Sequence, residues 1–180
     1  FRMHDSRELV EARINRFIRE RLTANLWRSR LPAVLESWSA PGEPVPFAQA
    51  VGRDFQPFAP GQAWGAPWGT TWFRVSGTVP AEWAGETGRP ELVMDLGFSG
   101  DGPGFEAEGL VYTPAGEIVK AVEPRNLHVP VRQAPGEPFE FFVEAASNPN
   151  VIAGFTYAPT PLGDPATAGD APLYVFRSAD

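Results

Sequence analysis

Residues 64–83 read WGAPWGTTWFRVSGTVPAEW, and the nine residues 71–79 inside that stretch decide the fold class. Trp72 and the apolar side chains after it can enter a core while Arg74 and Ser76 face water, the pattern of a half-buried strand. Of the adjacent pair Trp72 and Phe73, one has to yield the inside, and Trp72 is the expected core residue. The alternating pattern then continues. Further strands are expected over residues 91–97, 106–113, 117–123, 126–132, 138–146 and 172–177, and Thr113-Pro114-Ala115-Gly116 has the composition of a hairpin turn. Strands separated by turns, with no helical pattern between them, indicate a mainly β chain: an antiparallel, jelly-roll-like β-sandwich.

Ahead of the strands the period changes. Residues 5–30 predict an amphipathic helix, with Asp5 or Ser6 as cap, Glu8 at the capping-box position and no internal Pro or Gly. Val10, Ile14, Phe17, Ile18, Leu22 and Leu26 fall on one face, and a stripe that long calls for burial. It can fold back on the sandwich, or it can pack on another domain or on a second subunit as a homo-oligomer. Pro32 permits a second short helical turn through residues 33–38 before Pro41, Pro44 and Pro46 end regular structure. The expected division is therefore a helical segment and linker over residues 1–46 and a β-sandwich accessory domain over 47–180. Phe1-Arg2 reads as an addition ahead of a natural start at Met3.

Composition excludes several function classes. Proline and glycine number 20 and 18 of 180 residues, which is loop-rich but below the level of disordered low-complexity protein. Cysteine is absent, so neither a disulfide framework nor a thiolate metal site exists, a composition that fits a cytoplasmic setting. No apolar run approaches the roughly 20 residues of a membrane span. The net charge of −7 is unevenly spread: residues 1–40 carry eight arginines against five acids, whereas the remainder carries seven bases against seventeen acids. An acidic main body repels phosphate backbones, and the arginines of the helix are interleaved with acids, so no nucleic-acid partner is expected.

The residues now carry a resemblance. The run Pro67-Trp68-Gly69-Thr70-Thr71-Trp72-Phe73-Arg74-Val75, followed by Val79-Pro80-Ala81-Glu82-Trp83-Ala84-Gly85, resembles the "WG-x-x-WF-x-V … IP-x-EW-x-G" stretch in the N-terminal domain of glycoside hydrolase family 38, the cytosolic and vacuolar type of α-mannosidase. Residues 92–96, the Glu108-Gly109-Leu110-Val111-Tyr112 hairpin and the strand end Glu144-Ala145-Ala146-Ser147-Asn148 are similar to the family's later strands, and the N-terminal helix also fits. The resemblance implies a structural accessory domain, with the remaining domains of a zinc-dependent, retaining α-mannosidase as its partners. That enzyme would remove terminal α-linked mannose. The family's zinc ligands, two His and two Asp, and its nucleophilic Asp belong to motifs that do not occur in these 180 residues. No catalytic residue and no metal ligand is carried over, and this chain alone is expected to be inactive, zinc being expected in the catalytic domain.

Other candidate sites weigh less. Glu106 and Glu108 could share a strand face near Asp101, but alternating acids on a strand ordinarily mark its solvated side. Asp101 is the single carboxylate of the Ser99–Gly104 loop, too few for calcium, and His128 has no His or Cys neighbour to share an ion. The best rival is a carbohydrate-binding surface. Trp64, Trp68 and Trp83 are its candidates, stacking a mannoside ring, against a structural role in which loop tryptophans plug the sandwich or pack on a neighbouring domain.

Overall fold

The computed structural model describes residues 7–98 and 107–148, with the backbone of 174, 175, 177 and 178. Contacts divide the chain after Leu31 into two compact units. The first is helical: α1 (Arg7–Phe17), a π-helical turn (Ile18–Leu22) and a 3₁₀ turn (Thr23–Asn25). Its end at Asn25, short of the expected residue 30, is marked by the Asn25 side-chain amide donating to the carbonyl of Arg21 at 2.7 Å. Arg7–Glu11 and Arg16–Glu20 pair one turn apart, at 2.6 and 3.0 Å. Such exposed pairs contribute only about 0.3–0.5 kcal/mol each. The Asp5 and Ser6 caps lie outside the described residues.

The second unit, from Pro32, is the sandwich. Its larger sheet is built from β1 (Val34–Ser39), β2 (Gln56–Phe58), β4 (Thr70–Thr78), β6 (Glu108–Tyr112), β7 (Ile118–Val122) and β9 (Pro138–Ala146), six antiparallel strands in the order β2-β1-β4-β9-β6-β7. Facing it are β5 (Glu91–Asp95) between β8 (His128–Pro130) and β11 (Arg177–Ser178), and β3 (Ala63–Trp64) paired with β10 (Tyr174–Val175). The strands expected between residues 71 and 146 are present, with bounds within two residues of the expected ones among the described residues, whereas the single strand expected over 172–177 is replaced by two short ones, β10 and β11, in different sheets. β5 stops at Asp95, whose carboxylate accepts from the amides of Gly97 and Phe98 at 2.8 and 3.0 Å. The 113–116 turn closes as expected, the Gly116 amide donating to the Thr113 carbonyl at 2.9 Å with Gly116 at φ 84°.

Residues 34–39 are a strand where a helical turn was expected, so the sandwich starts well before residue 47. The cause is tertiary. Leu35 pairs with Val75, Glu36 with Arg74 and Trp38 with Trp72, so this segment completes the sheet beside β4. The Glu36 carboxylate holds Arg74 at 2.5–2.6 Å, an ion pair half sheltered from water.

Both faces of β4 are covered, which resolves the competition between Trp72 and Phe73 differently from the expectation. Neither yields: both are 0% exposed. Phe73 and Val75 enter the core between the sheets, with Leu35, Met94, Leu96, Val111, Val129 and Val143. Trp72 points to the opposite face, into a second core with Ala50, Phe55 and Phe142. The segment that carries α2 (Phe47–Ala50) supplies this cover, with Phe47 edge-on to Phe142 at 5.7 Å and 89°. Arg74 shares that face, its guanidinium 5.5 Å from the Phe55 ring, and so is only partly open to water.

Candidate functional site

The WGAPWG loop connects β3 to β4, and its shape follows from which residues it anchors. Trp64, at one end, is 5% exposed, packs edge-on against Phe73 at 5.3 Å and donates its indole N–H to the Leu96 carbonyl at 3.1 Å. Gly65 then turns with φ 76°, a left-handed conformation that suits glycine. A Cβ there would overlap Ser147 Cβ and stand 2.9 Å from its Oγ, so the loop backbone lies directly on that serine.

Ser147 directly follows β9 and is 1% exposed. Its hydroxyl lies within donating distance of the Ala66 carbonyl and, at 3.0 Å, the Gly69 carbonyl. Its own amide donates to the Gly69 carbonyl at 3.0 Å, and its carbonyl accepts from the Trp68 amide at 3.1 Å. A further turn bond runs from the Gly69 amide to the Ala66 carbonyl at 2.9 Å. One buried serine thus satisfies most of the polar backbone of a tight loop, as burial demands. Ala66 and Ser147 are 81 residues apart in the chain, yet WGAPWG and EAASN form one structural unit.

Trp68 sits at the centre of this unit with φ 59°, a left-handed conformation rare for a bulky residue. Conformations of this kind persist where the surroundings over-determine them, and here the bonds on either side do so. The ring is partly exposed, while its Nε1 is buried and finds no hydrogen-bond partner among the described residues. Trp83, in the 3₁₀ turn Ala81–Trp83, is partly buried against the main core.

The three tryptophans therefore do not make one exposed platform. Trp64 is a core residue whose enclosed ring offers no face to a sugar; Trp68 and Trp83 retain partial exposure. The sequence reading missed Ser147 as the staple of the loop, although Gly65 and Gly69 flanking Ala66–Trp68 were a signal that something approaches the backbone closely.

Other polar groups are structural in placement. Tyr112 donates to Glu144 at 2.9 Å across β6 and β9, and burial, followed by that bond and the charge of Glu144, pushes the phenol up to about 12. His128 Nδ1 lies 3.5 Å from a Glu91 carboxylate oxygen. Lys120 donates to Asn126 and to the His128 carbonyl, both at 2.5 Å. Glu108 is half-buried on β6, whereas Glu106, Asp101 and the 99–104 loop lie outside the described residues. Among the described residues, no three His, Cys, Asp or Glu side chains gather closely enough to hold a metal. None of the described helices is long and apolar enough to cross a membrane.

The amino-acid sequence has relatives among known proteins. The family model described as "Alpha-mannosidase, jelly roll domain" matches residues 31–180. This chain belongs to the α-mannosidase jelly-roll family. Alpha-mannosidase 2C1 of Homo sapiens is 34% identical over 127 residues, covering 68% of this chain and 11% of the human protein. Alpha-mannosidase 2C1 of Mus musculus is 31% identical over 120 residues, covering 63% of the chain and 11% of the mouse protein. The chain thus spans about a tenth of the length of the curated relatives it matches. The match to the jelly-roll family begins at the boundary between the two units, and the helix precedes it.

Proposed function

We propose that this jelly-roll domain is the structural N-terminal part of a zinc-dependent, retaining α-mannosidase of glycoside hydrolase family 38. In this reading the parent enzyme removes terminal α-linked mannose in the cytoplasm, and zinc and the nucleophile belong to its catalytic domain. The sandwich docks on that domain and supports it. The observation that carries the reading is the jelly-roll match over residues 31–180 combined with a span of 11% of the mannosidase relatives. Expression of the full natural reading frame tests it: the product should bind zinc and release mannose from an aryl α-mannoside with retained configuration, while the 180-residue chain alone does neither. Turnover by the short chain, or a full-length product without zinc or mannosidase activity, would overturn it.

A second reading rests on Trp68, a partly exposed indole held in a fixed geometry by the Ser147 staple. Rigid aromatic presentation is what ring stacking on a mannoside requires. Calorimetry with oligomannoside distinguishes the two: binding lost in Trp68→Ala supports a carbohydrate-binding module, and no heat at millimolar sugar eliminates it.

A further inference from the structure

Two costs meet at Trp68. Its backbone is left-handed at φ 59°, and among the described residues no other position except glycine adopts a positive φ. Its indole N–H is buried with no hydrogen-bond partner among those residues. The first costs stability through backbone sterics, the second through a desolvated donor that gains no acceptor. Trp72 shares the second cost but not the first, and it fills a core. Trp68 is partly exposed, so core filling does not account for it. Strain of this kind concentrates where a residue serves a contact beyond its own fold.

The loop shows which kind of contact. Because the single polar atom of the Trp68 side chain is buried, what that side chain presents to the outside is carbon. Ala66 is exposed and Pro67 partly so, and neither carries a hydrogen-bonding side chain. Thr70, Thr71 and Ser147, which adjoin the loop, are all buried. A sugar stacked on the indole would find none of these side chains free to bond its hydroxyls, whereas an apolar recess in a protein needs none. The tip is also rigid. The loop leads into β4 and is stapled to Ser147 after β9, and these are the two central strands of the six-stranded sheet. A tryptophan fixed in advance loses little freedom on docking, which suits it to anchor an interface.

We infer that the tip Ala66–Trp68 is the anchor by which the sandwich docks on the catalytic domain, the carbon surface of Trp68 entering an apolar recess there. The occupant follows from the mannosidase reading, on which this step rests. About nine-tenths of each curated relative lies outside the matched stretch, which supplies a far larger body to cover the tip.

Hydroxyl-radical footprinting of tryptophan oxidation, on the 180-residue chain and on the product of the full natural reading frame, tests the docking. In the short chain Trp68 should oxidise faster than the enclosed Trp64; in the full-length product it should fall to the rate of Trp64. Trp68→Ala in the full-length product should speed proteolytic release of the sandwich by about tenfold or more. Trp68→Phe keeps an aromatic ring and lacks the N–H, so it should release the sandwich close to the unsubstituted rate. Near-UV circular dichroism of both variants in the short chain reports whether they fold, and the footprint, which needs no substitution, decides if Trp68→Ala does not. Equal oxidation of Trp68 in the two chains would overturn the inference, as would an unchanged release rate in a folded Trp68→Ala. Protection of Trp68 by oligomannoside in the short chain would put a sugar on the tip instead and overturn it as well. Mannosidase activity is read separately: an active product with unprotected Trp68 overturns the anchor and leaves the enzyme reading intact, whereas an inactive product with protected Trp68 overturns the enzyme reading and leaves the anchor on the larger body.

Discussion

Substitution Gly65→Ala drives a methyl group onto Ser147 Cβ and to 2.9 Å from its Oγ, and the magnitude of the damage can be worked from that contact. Two costs add. The backbone at φ 76° costs an L-residue about 1 kcal/mol, and forcing a Cβ into a filled space costs about 1–3 kcal/mol, here towards the upper end because the obstacle is the root of a side chain on a strand. Gly65→Ala should therefore destabilise the sandwich by about 3 kcal/mol. Ser147→Gly alone removes the hydroxyl that serves the Ala66 and Gly69 carbonyls and should cost about 2 kcal/mol, the net bond plus a carbonyl left poorly satisfied. It also removes the atom that the new methyl group at position 65 would strike. In the double variant the steric cost disappears, leaving the backbone cost at position 65 beside the cost of Ser147→Gly, so the two changes should couple favourably by about 2 kcal/mol. Urea unfolding followed by the fluorescence of buried Trp64 and Trp72 measures all four corners of the cycle. Additive costs would refute the claim that the loop backbone rests on Ser147.

Two other perturbations test the cores and the Tyr112 pair. Phe73→Ala, at a fully buried ring flanked by Phe58 at 5.2 Å and Trp64 at 5.3 Å, should lose about 3–5 kcal/mol in the same denaturant assay; a loss under about 1 kcal/mol would mean that the main core does not depend on it. Tyr112 has a pKa raised from 10.0 to about 12, so its contribution is complete below pH 10 and is lost as pH rises from 10 to 12. Tyr112→Phe should abolish that portion of the alkaline decline and remove a phenolate absorbance step near pH 12. Identical alkaline titrations for the two proteins would show that the pair carries no such linkage.

Local signals were sufficient for much of this fold. Residues 138–146 form a strand with the expected bounds, the 113–116 turn closes on its glycine, and a helix forms within the segment that the apolar stripe marks. The turn and the helix rest on interactions within a few residues, and the strand's alternation of side chains is visible in a short window although its partners, β4 and β6, are distant. Residues 33–38 failed for the complementary reason. Apolar side chains at 34, 35 and 38 suit one helical turn, but a strand there gains the Glu36–Arg74 and Trp38–Trp72 pairings, whose partners lie more than 30 residues away.

The candidate site divides along the same line. From the sequence alone came the jelly-roll class, the resemblance to α-mannosidase, the acidic body and the amphipathic helix, all of them properties of periodicity, composition and residue order. Tertiary structure alone decided that Trp72 and Phe73 both enter cores on opposite faces of one strand, and that Trp64 is enclosed. It also joined WGAPWG to the serine that follows β9. Burial depends on what covers a residue, and here the cover comes from segments distant in the chain: α2 over Trp72, Leu96 behind Trp64 and Ser147 beneath the loop.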